Sequence, residues 1–194
     1  GGSASTSIGS WNVAGEISYR HNTPLNSYAQ VDALGNADNA GNALFARGDT
    51  LHAQISGIRL LGSGTLWDGG QFVGEIGGHK LLRFTKNRAA FDPARDRAAL
   101  GVRFVFEPAY YQVTPGLDLT VPIGVGYNPF GRSPVDPKFN GGGAHKGGDI
   151  SIGLGFTYEN IWRGGLNYTH YYGSETTQTL RDRDFVSLSI QRTF

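Results

Sequence analysis

Strict alternation is the feature that most limits what this chain can become, and it is cleanest in the last stretch, residues 184–194. There Val186, Leu188 and Ile190 alternate with Ser187, Ser189 and Gln191, and the run ends on Phe194 at the apolar parity. Period-two patterning sends apolar side chains to one face of a strand and small polar ones to the other. A strand of about ten residues is also long enough to cross a bilayer when tilted. Two settings accept such a strand: the edge of a soluble β-sandwich and the wall of a membrane barrel.

The same pattern recurs along the chain. Trp11, Val13, Gly15, Ile17 and Tyr19 oppose Asn12, Ala14, Glu16, Ser18 and Arg20. Residues 3–8 precede this run across Gly9-Ser10, which predicts a hairpin with a tight turn. Further strands are predicted over 50–61, 71–84, 97–113, 117–127, 149–160 and 162–173. Lys80 falls in phase with Ile76 and Leu82, so a bulge is expected nearby. Pro122 has no N–H to give a neighbouring strand, so a bulge or kink is expected there too.

The connections alternate between short and long. Short ones fall at 9–10, 62–70, 114–116 and 160–161; long ones fall at 21–49, 85–96, 128–148 and 174–183. Outer-membrane barrels combine short periplasmic turns with longer extracellular loops. On that reading the four long loops are extracellular and the last strand ends at the periplasmic side. Trp11, Trp67 and Trp162 all fall on the short-turn side, and Tyr19, Phe84, Tyr127 and Tyr172 near the other. Amphipathic aromatics collect at membrane interfaces, so these residues and Phe194 are expected to form two girdles. Two girdles and two loop classes favour a barrel over a sandwich.

Composition is consistent with this. No Cys is present, which excludes disulfides and thiolate metal sites and suits an oxidising compartment. With 17 Lys and Arg against 16 Asp and Glu, the chain lacks the excess of positive charge expected for a nucleic-acid partner. No run approaches the ~18–20 apolar residues of a membrane helix, although alternating strands escape that measure. Residue 1 is Gly and no signal peptide precedes it, so a processed or truncated product is expected.

The fold class expected is therefore all-β, an antiparallel transmembrane β-barrel in a Gram-negative outer membrane. Nine strands are counted in one domain spanning 1–194. Single-chain bacterial barrels have an even number. Either eight strands span and the first is a stub, or the chain is the C-terminal part of a larger barrel.

Three stretches carry a resemblance. Ser18-Tyr-Arg-His-Asn-Thr-Pro-Leu25, Leu166-Asn-Tyr-Thr-His-Tyr-Tyr-Gly173 and residues 181–194 are similar to the C-terminal portion of an uncharacterised proteobacterial outer-membrane β-barrel family, a domain of unknown function. The resemblance implies a fragment of a longer protein, held in lipid and lipopolysaccharide. The terminal aromatic strand likewise resembles the one read by the barrel-assembly machinery. Members are often encoded beside resistance-nodulation-division-type permeases. That implies a possible inner-membrane permease partner and the movement of hydrophobic or lipid-like compounds. It implies no catalytic residues.

The polar face carries the candidate lumen residues Glu16, Arg20, Glu75, His79, Arg103, Glu107, Asp118, Glu159, Arg163 and Asn167. Their mixed charges either shape a pore, as charged rings do in channels, or pair with one another and plug a narrow barrel. The 21–49 connection is either a lid folded inward or a surface loop. Gly141–Gly148 is expected to be flexible. His145 beside Asp149 makes a poor metal site, so neither metal nor cofactor is expected. Arg47-Gly-Asp49 and the sequon at Asn167 are matches by letter only. A hydrolase would need a Ser or Asp beside a His oriented by a third group. No local motif supplies one, so no enzyme is expected. The function expected is a channel or transport protein. Its rival is a closed structural or partner-docking barrel.

Overall fold

Alternating segments become strands throughout. A computed structural model describes residues 1–38 and 41–193; the terminal aromatic Phe194 lies outside them. The strands are β1 (Gly2–Ile8), β2 (Trp11–Pro24), β3 (Arg47–Leu60), β4 (Gly69–Lys86), β5 (Ala98–Thr114), β6 (Leu117–Thr120), β7 (Ile123–Phe130), β8 (Gly148–Tyr158), β9 (Trp162–Tyr172) and β10 (Phe185–Arg192). All pair antiparallel in one sheet, in sequence order from β1 to β10, with β6 and β7 end to end in the lane between β5 and β8. Among the described residues no ladder joins β1 to β10.

Turn chemistry sets the registers. Ile8 faces Trp11 across Gly9, which takes φ 59°, so two residues suffice to reverse the chain. At Pro122 the expected strand is interrupted, which divides it into β6 and β7. The pairing with β5 keeps the same register on both sides, from Ala109–Thr120 to Phe106–Ile123. Pro108 and Pro122 have no N–H to give, so the ladder loses those two donors without a slip, while the Val121 N–H still donates to the Pro108 carbonyl at 3.0 Å. The bulge expected near Lys80 lies at Leu82, skipped between the pairs Thr50–Leu81 and Asp49–Arg83.

Burial is inverted relative to a soluble sandwich. Ile17, Ile55, Ile76, Ile152, Leu166 and Leu188 share the apolar face and are each 46–71% exposed. Their neighbours in sequence, which point to the other face, are polar or glycine. The buried apolar cluster is small and sits where the long connections meet: Leu25, Ala46, Leu81 and Ala90, with Phe84, Phe91 and Val135 against it.

Candidate functional site: the polar face and the loop that covers it

Register assembles the polar face in cross-strand rows. One row runs Ser18, His52, His79, Ala99; the next runs Glu16, Gln54, Gly77, Gly101; a third runs Ser56, Glu75, Arg103, Gly126, Asp149. Glu16, Arg20, Glu75 and His79 gather with His52 around one hollow. Arg103 lies beside them in register. Glu107, Asp118, Arg163 and Asn167 share the face further along the sheet but not the hollow. Glu159 is not on a strand face: it occupies the turn after β8 with φ 51°, its N–H donated to the Gly116 carbonyl.

A loop that the sequence presents as slack closes over this face. Residues 131–147, between β7 and β8, fold back onto the sheet. Asn140 reaches across β5 and β7: its Nδ2 donates to the Val102 and Tyr127 carbonyls at 3.1 and 3.0 Å, and its Oδ1 accepts from Arg103 Nε at 3.2 Å. Arg103 also grips Asp149 through both terminal nitrogens, at 3.0 and 2.5 Å. Such a two-point charge-assisted pair fixes orientation as well as position. Phe139 consequently stands edge-on to the His79 ring, with centroids 4.6 Å apart.

The glycine run is tightly built rather than flexible. Asn140, Gly141, Gly142 and Gly143 all take left-handed φ between 48 and 110°. A Cβ at Gly141 would strike the Asp149 carboxylate, and one at Gly142 would strike the Gln178 amide. Only glycine accepts that backbone with those neighbours. His145 ties the loop base by accepting the Gly131 N–H at 3.0 Å. Among the described residues no group of His, Asp and Glu could hold a metal ion.

The first long connection meets its neighbours at the same end. Leu25 enters the buried cluster, and Asn26 donates to the Pro134 and Ser133 carbonyls. Beyond it, Val31 and Leu34 are exposed. Arg47-Gly-Asp49 lies in β3, and Asp49 is buried beneath Tyr19, His21, Asn22 and Arg83, all bonded to its carboxylate.

One Ser–His pair does form across the chain: Ser133 Oγ lies 2.5 Å from His79 Nε2. Ser133 is fully buried, and its hydroxyl already accepts the Val135 and Asp136 N–H groups. That hydroxyl shapes the loop and has no open approach for a substrate.

At the short-turn end, aromatics and arginines pair on the apolar face. Arg59 lies over Trp11, its direct partner across β2–β3, and Arg192 lies over Trp162, its direct partner across β9–β10. Trp11, Phe72 and Phe104 form a chain of ring contacts, and Trp67 packs on Phe106. At the other end, Tyr19 donates to Asp49 and Tyr172 to the Gly126 carbonyl. Tyr127 lies on the apolar face of β7.

Residues 1–194 match the family model described as a protein of unknown function (DUF1302). The chain belongs to this family. No curated protein and no solved structure matches it. DUF1302 membership brings no assigned chemistry, so function has to be argued from the two faces themselves. The sequence signs of the most built-up part were a lone aromatic, Phe139, and an Asn-Gly-Gly-Gly run that follows it. Its partners Arg103, Asp149 and Gln178 are too far off in the chain for spacing to reveal them.

Proposed function

We propose that the chain is a barrel region of the Gram-negative outer membrane, acting as a channel or transport protein for small or hydrophobic, lipid-like compounds. The observation that carries this reading is the exposed apolar band crossing β2 to β10, backed by a polar face of charged side chains. Water penalises an apolar patch of that extent, whereas a bilayer takes it up. Trp11 and Tyr19 bound the band on β2, and the run from one to the other is about the nine to eleven residues with which a tilted strand crosses a bilayer. The Trp–Arg pairs further support a boundary at the short-turn end, since arginine can lie along apolar surface and keep its charge in the headgroups.

On this reading the sheet closes into a barrel. Outer-membrane lipid and lipopolysaccharide surround it, the last strand engages the barrel-assembly machinery, and an inner-membrane permease system is a candidate partner. Planar-bilayer recording of the full-length protein tests the function. Discrete conductance or solute flux is expected, and silence in both, with the loop over the polar face intact or removed, would overturn it.

A further inference from the structure

Two hollows meet beneath Phe139. One, about 180 Å³, is lined by Glu16, Arg20, His52 and His79. The other, about 450 Å³ and within the range of small-molecule sites, is lined by Val73, Gly101 and Val105 together with Asn140 and the Asp149-bound Arg103. Phe139, Glu75 and Gly77 line both. The ring therefore marks the division between a charged compartment and a more apolar one, and Gly77 leaves the gap between them free of a side chain. Gly101, opposite Gly77 in register, is glycine for a different reason: a Cβ there would press on the Asn140 side chain.

We propose, on the footing of the transport reading above, that Phe139 and the gap at Gly77 form the selectivity site of the passage. Its ligand class is a small organic cation with a flat apolar body. The charges support that sign. Arg103 is held by Asp149, which leaves two carboxylates, Glu16 and Glu75, against the single guanidinium of Arg20 in the charged hollow. A flat cation gains twice at this point, from the carboxylates and from the face of the ring. Arg103, Asn140 and Asp149 are positioning residues that hold the ring in place.

The test uses the full-length protein in planar bilayers, with heat-modified gel mobility to confirm folding. Gly77→Leu fills the gap with little strain, because its Cβ would lie 3.7 Å from Gln54 Cβ and Glu75 Oε1. Its conductance is expected to drop at least by half, while Phe139→Ala raises it. Gly15→Leu, on the apolar face, should leave it unchanged. Benzylammonium should block at lower concentration than benzoate, and Glu75→Gln should weaken that block roughly tenfold, about 1.4 kcal/mol. A silent wild type that Phe139→Ala opens also supports the site. If the wild type conducts and neither Phe139→Ala nor Gly77→Leu alters conductance or block, the selectivity site is wrong and the transport reading stands. Silence in the wild type and in Phe139→Ala overturns the selectivity site, and silence of the protein lacking the loop as well overturns the transport reading.

Discussion

Asp184 shows how much one carboxylate organises at the long-loop end. It accepts from the His170 ring at 2.6 Å, from the Tyr171 N–H at 3.0 Å and from the Tyr168 hydroxyl at 2.8 Å. Those donors, His170 foremost, favour the ionised form and lower its pKa from 3.8 to about 2. Because the folded value lies below the unfolded one, this anchor is complete above pH 3.8 and is lost as pH falls through about 2. Peptic cleavage within 173–184, normalised to an unfolded control, should therefore accelerate between pH 4 and pH 2. Asp184→Asn should be cut quickly at both. Equal protection of the variant at pH 4 would show that the carboxylate does not hold the connection. The same lesson applies to Asn140 and Gly142, whose identities matter through partners and backbone angles rather than through any motif.

Among the elements, β8 is the best place to test which face meets lipid, because it is paired on both sides and its apolar parity is unbroken from Ile150 to Tyr158. A cation on a lipid face costs about 2–4 kcal/mol at mid-membrane and about 0–1 near the interface. Ile152→Lys should destabilise the protein by the larger amount and Tyr158→Lys by the smaller, as read by denaturant unfolding in lipid bilayers. Two equal small effects would argue against the band. On the proposed membrane reading β10 obeys the same rule. Arg192 shares the parity of Ile190, which would be costly mid-strand, yet it lies against Trp162 at the strand's end, 5.3 Å from the ring. Arg59 repeats this geometry on Trp11. Alternation made the strands readable. Their breaks were readable only in part, since Pro122 announces a lost hydrogen bond but not whether the register slips.

For the molecule as a whole, an up-and-down meander puts every short turn at one end and every long connection at the other. Trp11, Trp67 and Trp162 then share a single level. Brominated lipids should quench their fluorescence most when the bromine is near the headgroup and least when it is at the chain ends. Strongest quenching from the bilayer centre would contradict the girdle. The long connections, by contrast, build the only sizeable buried apolar cluster among the described residues, and one of them turns back over the polar face. On the proposed barrel reading, an end packed in this way and a face left open to its surroundings suit a wall that separates two media.

Strand positions, the division into an apolar and a polar face, and the alternation of short and long connections follow from local patterning. Each depends on the identity of residues one or two positions apart, and the backbone enforces that periodicity wherever a strand forms. The loop over the polar face had no such local cause. Its conformation depends on Arg103 meeting Asp149 and Asn140, on Gln178 packing against the glycine run, and on His79 meeting Ser133. These contacts are 37 to 54 residues apart. Glycines that spacing alone makes look slack become rigid once those neighbours fill the space around them. The terminal strand kept its alternation in three dimensions, and the fold added the reason it can carry Arg192: a tryptophan directly across the ladder.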